Sequence, residues 1–127
     1  MYQQLTANLM VDSIEETLSF YQEKLGFTLV ASVPNENGYL QFAIVEKDGL
    51  HLMFQERRNM MDEYPMLEAS ATKPGITLFI KVTDFDQLYQ SLKSNVSLAA
   101  DLHETFYGTK EFAILDNSGY VLTFAEN

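Results

Sequence analysis

The sequence predicts an α+β fold built from two β-α-β-β-β modules, whose curved mixed sheets enclose a groove with the helices outside. The first observation is an internal repeat, because the segments 6–14 and 77–85 share one pattern of apolar and polar residues and lie 71 residues apart. The second is that a pattern of helical period follows each segment. The third is that three strand-like segments separated by turn signals follow each helix. Concave surfaces of this kind commonly bind ligands.

Start and stop signals define the two predicted helices. Ser13 and Glu16 have the spacing of a capping box, and Gly26 is a typical helix stop, so the first helix is expected between Ser13 and Gly26. Asp84 is the expected cap of the second helix. The predicted apolar stripes are Ile14, Leu18, Tyr21 and Leu25 in the first helix and Phe85, Leu88, Tyr89 and Leu92 in the second.

Turn signals separate the remaining strands. The motifs are ENG at 36–38, KDG at 47–49 and DNSG at 116–119. Strands are expected at about 27–33, 38–46, 50–56, 96–101, 110–115 and 119–125. Residues 57–74 show no strand pattern and are interpreted as the linker between the two modules, with one helical turn as an option. The prediction is therefore a single domain, 1–127, with module one at about 1–56 and module two at about 75–127. The sequence is compatible both with pairing of the two modules within one chain and with their exchange between two chains.

Composition limits the classes of function. The 127 residues include 8 Lys and Arg against 18 Asp and Glu, which gives a formal charge of −10 and argues against nucleic acid as a partner. The chain has no cysteine, and its longest apolar runs are too short for a membrane span, so a cytoplasmic protein is expected. A negative field favours a cationic ligand, but acidity also serves solubility alone.

Two motifs resemble those of the glyoxalase/bleomycin-resistance/dioxygenase superfamily, also called the vicinal oxygen chelate superfamily. SIEETLSFYQEKLGF at 13–27 is similar to the first-helix signature of that superfamily, and YGTKEFAILDNSGYVLTFAE at 107–126 is similar to its last hairpin. The resemblance covers essentially the whole chain and implies the same doubled fold. It does not imply one function, because the superfamily includes lyases, isomerases, dioxygenases, thiol transferases and non-catalytic drug-binding proteins.

The resemblance also implies where a metal would bind. Metalloenzymes of the superfamily place ligands on the first and last strands of each module, and these positions fall on Thr6, His51, Thr77 and Thr123. A threonine hydroxyl is a weak, neutral donor, so His51 alone offers the kind of ligand that zinc, nickel or iron prefers. We therefore predict no catalytic metal and no cofactor. His51 is then either a ligand-contacting residue or a passive polar residue of the groove wall.

Strand alternation predicts a mixed groove wall of hydroxyl, amide, methionine and aromatic side chains. Such a wall suits a medium-sized organic molecule held by stacking and a few hydrogen bonds, although Met53 and Phe79 can equally serve only to fill the groove. Ala43 is expected on the same middle strand as Gln41, facing the groove. The predicted ligand-binding residues are Thr6, Asn8, Gln41, His51, Met53, Thr77, Phe79, Glu111 and Thr123.

Three hypotheses for function follow. The leading one is a homodimer that binds and sequesters a small organic compound, a drug or a metabolite, without a metal. It would resemble the bleomycin-resistance branch, which confers antibiotic resistance by holding a cationic drug in an acidic groove. The alternative is a metal-dependent lyase or isomerase of the glyoxalase type, or a ring-cleaving dioxygenase. The third is a regulatory module or subunit whose groove binds no small ligand.

Overall fold

The computed structural model describes residues 1–70 and 75–127, which form two compact units, Met1–Thr72 and Lys73–Asn127. Each unit contains one four-stranded mixed sheet and the same β-α-β-β-β sequence of elements, so the predicted fold class and its two modules are confirmed. No helix in the described ranges is long and apolar enough to cross a membrane. The groove expected between the two sheets stays a prediction.

Unit 1 places its first strand beside its last. The sheet order is β1-β4-β3-β2, with β1 parallel to β4 and the other neighbours antiparallel. This order follows from the crossover helix, because a parallel pair cannot be joined by a tight turn. The elements are β1 (Ala7–Val11), α1 (Ile14–Leu25), β2 (Thr28–Pro34), β3 (Leu40–Lys47), β4 (Leu50–Glu56), α2 (Arg57–Glu63) and a 3₁₀ helix (Pro65–Ser70).

Helix α1 begins and ends where its sequence signals predict. The Ser13 hydroxyl accepts a hydrogen bond from the backbone N–H of Glu16 at 3.1 Å. Gly26 closes the helix in the left-handed region with φ 76°, which glycine adopts without strain. Tyr21 is fully buried and packs on Phe54 of β4 at a ring-centroid distance of 4.8 Å. This contact places the apolar stripe of α1 against one face of the sheet.

Unit 2 repeats the arrangement with a shorter helix. Its sheet order is β5-β8-β7-β6, again with a parallel first pair. Phe112 of β7 is fully buried and packs against Phe85, Tyr89 and Phe124 at centroid distances of 5.1 to 5.4 Å. The elements are β5 (Thr77–Val82), α3 (Phe85–Leu92), β6 (Ser97–Glu104), β7 (Lys110–Leu115) and β8 (Val121–Glu126).

The segment 57–74, interpreted as the linker between the modules, contains more helix than the single turn considered for it. Residues 57–70 form helix α2 and the 3₁₀ helix, and 71–74 lie outside the described residues. The carboxylate of Glu56 caps α2 by accepting from the N–H groups of Arg58 and Asn59 at 3.0 and 3.1 Å. Buried Met60 anchors the helix. Glu is not among the preferred capping residues, so the sequence carried little signal for this start.

Candidate functional site

The sheet of unit 1 has one face packed on α1 and one face directed away from it. Leu52 and Phe54 of β4 are buried on the α1 side. Because successive side chains alternate, the other side carries His51, Met53 and Gln55, with the neighbouring side chains of β1 beside them.

A cavity of about 600 Å³ lies where this second face meets helix α2, and we call it the amide cavity. Its volume falls within the range of small-molecule sites. It combines carboxamide, carboxylate and aromatic side chains. Its lining residues are Asn8, Val33, Gln41, Phe42, Gln55, Asn59, Asp62, Glu63 and Tyr64.

Gln55 is the centre of a hydrogen-bond network in this cavity. Its side chain is 5% exposed, so each of its polar atoms needs a partner. The Gln55 Oε1 atom accepts from Asn8 Nδ2 at 2.9 Å. The Gln55 Nε2 atom donates to Asn59 Oδ1 at 2.7 Å and to Glu63 Oε1 at 3.0 Å. Asn59 Nδ2 then donates to Gln41 Oε1 at 3.2 Å. The network fixes four carboxamides in the wall of one cavity.

The lining determines what this cavity can do. Carboxamides offer both donors and acceptors, while Tyr64, Phe42 and Val33 supply apolar surface. None of the described lining residues is His, Cys, Lys or Arg. The cavity therefore lacks the usual nucleophiles and the nitrogen ligands of a metal, and its two carboxylates, Asp62 and Glu63, disfavour an anion. Its chemistry is that of binding by hydrogen bonds and packing.

The predicted site residues of unit 1 do not all lie together. Asn8 and Gln41 line the amide cavity. Met53 is half-buried and pairs with Asn8 across β1 and β4. His51 is exposed and lies opposite Glu46, four residues before Gln55 and so about 13 Å away along the strand. Thr6 immediately precedes β1.

Ala43 does not face the groove as expected. It is fully buried and pairs with Phe54, whose ring packs on α1, so Ala43 belongs to the helix side of the sheet. Gln41 lies near the start of β3, where its side chain reaches Asn59 of α2. The alternation rule holds within β3, but it does not describe side chains near the strand end.

The corresponding face of unit 2 carries Thr77, Phe79, Thr123 and Glu111. Phe79 of β5 pairs with Thr123 of β8, which pairs in turn with Ala113 of β7. Phe79 is 55% exposed on this face, while Glu111 is only 6% exposed. An exposed aromatic ring and a buried carboxylate thus share one side of the sheet.

Glu111 is held by the turn that precedes β7. Its Oε2 atom accepts from the Tyr107 hydroxyl at 2.7 Å and from Thr109 Oγ1 at 3.3 Å. The hydrogen bond to the Glu111 carboxylate raises the pKa of Tyr107 above the ordinary value of 10.0, and the loss of hydration and the nearby negative charge raise it further. In the same unit the Tyr89 hydroxyl donates to Asp101 at 2.6 Å, which raises the pKa of Tyr89 and lowers that of Asp101.

The strand registers show that His51 and Thr123, both expected at metal-ligand positions, are not equivalent positions of the two units. Met53 pairs with Asn8 of β1, and Thr123 pairs with Phe79 of β5, which is the repeat of Asn8. The counterpart of Thr123 is therefore Met53, two residues beyond His51. Thioether and hydroxyl groups are poor ligands for zinc, nickel or iron(II), so the residues present do not fit the metal that enzymes of this fold use. The described residues also contain no group of three His, Asp or Glu side chains that could hold a metal.

Four cavity residues were not predicted, because they fall in the segment interpreted as a linker; they lie in α2 and the following turn and are Asn59, Asp62, Glu63 and Tyr64. One signal was present: Gln55, Asn59 and Glu63 are spaced four residues apart, which places the last two on one side of a helix. Met60 does not follow this four-residue spacing, so it lies on a different side of the same helix, and it is buried there.

Comparison with known proteins agrees with this architecture. The family model described as Glyoxalase/Bleomycin resistance protein/Dioxygenase superfamily matches residues 3–124. No curated protein sequence matches the chain. Among solved structures, a protein of unknown function from Agrobacterium tumefaciens has a TM-score of 0.76 and 19% identity, covering 100% of this chain and 95% of that one. TioX from Micromonospora sp. ML1 has a TM-score of 0.74 and 13% identity, covering 98% of both chains. A superfamily member from Sphaerobacter thermophilus has a TM-score of 0.74 and 20% identity, covering 100% and 98%. These likenesses show the fold.

Proposed function

We propose, from the premise that this chain belongs to the Glyoxalase/Bleomycin resistance protein/Dioxygenase superfamily, that it binds and sequesters a small organic compound without a metal ion. The observation that carries the proposal is the amide cavity, whose wall presents fixed carboxamides where a metal centre would require imidazole or clustered carboxylate. A drug or a metabolite of moderate size fits a cavity of about 600 Å³.

The charge of the cavity restricts the ligand. Asp62 and Glu63 line it, and the whole chain has a formal charge of −10. An anionic compound would lose hydration and meet a negative potential without a cation to pair with. The ligand is therefore an uncharged or cationic molecule.

The sheet face of unit 2 supports the same kind of binding. Phe79 offers an exposed ring for stacking, and Thr77 and Thr123 offer hydroxyl groups on the same face. The carboxylate of Glu111 would attract a cationic group of a molecule bound on this face. A face of this composition binds organic molecules by packing and a few polar contacts.

We also propose that the protein is a cytoplasmic homodimer. Strand β2 is an edge strand, and Leu29, Val30 and Val33 on it are all more than 40% exposed. Exposed apolar residues on an edge strand favour association with another chain. Light scattering coupled to size exclusion is expected to give twice the mass of one 14.5 kDa chain, and a mass of one chain would contradict this part of the proposal.

A thermal-shift screen tests the binding function. Uncharged and cationic compounds would be screened against the wild type, against Gln55→Met, which removes the centre of the network, and against Gln22→Met, a matched change on the exposed side of α1. Ligands of the amide cavity are expected to raise the melting temperature of the wild type and Gln22→Met but not of Gln55→Met. EDTA is expected to leave the shift unchanged.

Two results would contradict the proposed function. Absence of any stabilising compound across a broad library would favour a module without a small ligand. A shift that EDTA abolishes and that zinc, nickel or iron restores would favour a metalloenzyme.

A further inference from the structure

Each carboxamide in the network of the amide cavity has one orientation of its oxygen and nitrogen, which we call the direction of the network, and Glu63 determines it. An ionised carboxylate only accepts hydrogen bonds, so the group that faces Glu63 Oε1 has to be the Gln55 NH₂ group. That NH₂ group uses both of its hydrogens, on Glu63 and on Asn59 Oδ1. The Gln55 carbonyl oxygen consequently faces Asn8 and accepts from its Nδ2 atom.

The direction continues through the other carboxamides. Since the Asn59 oxygen accepts from Gln55, its NH₂ group is the part that donates to Gln41 Oε1. Two carboxamide atoms remain at the ends of the network, the Asn8 oxygen and the Gln41 nitrogen. Neither makes a hydrogen bond with any described residue. Asn8 is exposed, Gln41 is half-buried, and both residues line the amide cavity.

We propose that Glu63 fixes one orientation of all four carboxamides, so that the cavity presents an acceptor at Asn8 and a donor at Gln41. The ligand class that matches this pair is an uncharged molecule that carries both an N–H and a C=O group, such as an amide, a lactam or a ureide. This inference rests on the proposed binding function of the cavity. It adds the hydrogen-bonding pattern by which the cavity selects its ligand.

Other ligand classes satisfy the cavity less well. A molecule with acceptors alone pairs with Gln41 but leaves the Asn8 oxygen without a donor after its water is displaced. A carboxylate ligand pairs with the same donor and meets the negative charge of Asp62 and Glu63. A molecule with both an N–H and a C=O group carries a partner for each end and leaves the internal bonds of the network intact.

The direction of the network can be tested without a ligand. Asn8→Asp and Gln41→Glu each replace an NH₂ group by an oxygen. In Asn8→Asp the new oxygen faces the Gln55 oxygen, so two acceptors oppose each other in a partly buried site. In Gln41→Glu the new oxygen faces the cavity, and the bond from Asn59 is kept. We expect the thermal midpoint of Asn8→Asp to lie below that of Gln41→Glu by about 4 °C or more.

The matched control is Gln22→Glu, which adds the same charge on the exposed side of α1. The midpoint of Gln41→Glu is expected to stay close to this control. Equal losses in Asn8→Asp and Gln41→Glu, or a larger loss in Gln41→Glu, would overturn the proposed direction, because a reversed network would place the Gln41 nitrogen inside and the Asn8 nitrogen outside.

Three neutral or anionic probes test the ligand class by NMR titration of the side-chain amide resonances. Benzamide carries both groups, N,N-dimethylbenzamide lacks the N–H, and benzoate is an anion. We expect benzamide to perturb the resonances of Asn8 and Gln41, with an affinity about tenfold above that of the dimethyl compound and no response to benzoate. Gln41→Glu is expected to weaken benzamide by about the same factor, and Gln22→Glu is not.

The outcomes separate this inference from the function on which it rests. If the dimethyl compound or benzoate binds at the amide cavity as tightly as benzamide, the cavity binds organic compounds but the inferred selectivity is wrong. If none of the three probes perturbs the cavity, the proposed binding function of the cavity falls together with the ligand class.

Discussion

Units 1 and 2 share a scaffold and differ in what the sheet presents on the side away from the helix. Both have a β-α-β-β-β order with the first strand parallel to the last, and both bury an aromatic side chain between helix and sheet. In unit 1 the opposite face carries Asn8 and Gln55 and is extended by helix α2 into a cavity. In unit 2 the same ladder positions are Phe79 and Ala125, and the buried polar group is Glu111.

The repeat therefore specifies the fold and not the function. The side chains between helix and sheet have to be apolar because they are buried there, and both units use a similar set of apolar residues. The opposite face follows no such shared pattern, and its buried polar residue is Gln55 in unit 1 and Glu111 in unit 2. Membership of the superfamily therefore gives the architecture, whereas the function depends on the side chains of this opposite face and of the amide cavity.

Substitutions in the core that the two units share are expected to change the free energy of unfolding most. Tyr21→Ala in unit 1 and Phe112→Ala in unit 2 each remove a fully buried ring and are expected to cost about 3–5 kcal/mol of unfolding free energy. Urea unfolding measures the cost. The controls are Tyr2→Ala and Phe106→Ala, whose side chains are fully exposed. A loss below about 1 kcal/mol for either core change would show that its unit is not held by this packing.

The second effect distinguishes the two faces. Gln55→Met preserves the length of the side chain but leaves Asn8, Asn59 and Glu63 without their shared partner, so we expect a loss of about 1–3 kcal/mol. Glu111→Gln keeps an oxygen for the Tyr107 hydroxyl and is expected to cost less. Urea unfolding of both variants provides the comparison. A larger cost for Glu111→Gln would mean that unit 2 holds the more important polar network.

The third effect compares the helix starts. Ser13→Ala removes the hydrogen bond to the Glu16 N–H and is expected to cost about 1 kcal/mol. The side chain of Asp84 makes no capping hydrogen bond in the described part of the chain, and its backbone has φ 54°. Glycine favours that conformation, so Asp84→Gly is expected to change stability by less than about 0.5 kcal/mol. Equal costs in the two variants would contradict the difference in capping.

The smallest effect is the titration of Tyr107. The pKa of Tyr107 is raised above its ordinary value of 10.0 because its hydroxyl donates to Glu111. This hydrogen bond therefore stabilises the folded state fully below pH 10. The stabilisation is lost as the pH rises through the raised pKa of Tyr107. Glu111→Gln removes the carboxylate and is expected to lower the pKa of Tyr107 toward 10.0. Tyrosine-labelled NMR reports the residue directly. Tyr89 is the internal control, since its partner is Asp101, and a matching fall in its pKa would contradict the assignment.

Much of the fold followed from local signals. The Ser13 cap, the Gly26 stop and the turn motifs predicted helix α1 and six strands to within a few residues, because each signal satisfies backbone groups close in sequence. Asp84 preceded α3 as expected, although its side chain does not cap it. Helix α2 was missed since Glu56, a residue of the preceding strand, supplies its cap.

The candidate site was predicted only in part, for two physical reasons. Alternation determines which face a strand residue occupies but not its position along the strand, because a shift of two residues keeps the same face. His51 and Thr123 were therefore expected at equivalent positions, whereas the ladders make Met53 the counterpart of Thr123. The second reason is that Asn59 and Glu63 approach Gln55 through the packing of α2, which no strand pattern contains.

Metal analysis of the purified protein, combined with a ligand titration, is the most direct test of whether the amide cavity binds its ligand without a metal ion. The protein would be prepared without chelator, its zinc, nickel, iron and manganese content measured per chain, and a stabilising compound titrated before and after treatment with EDTA. A binding site made by the amide cavity predicts far less than one metal ion per chain and the same affinity in both titrations. One tightly held ion per chain, with binding lost on its removal, would contradict the account.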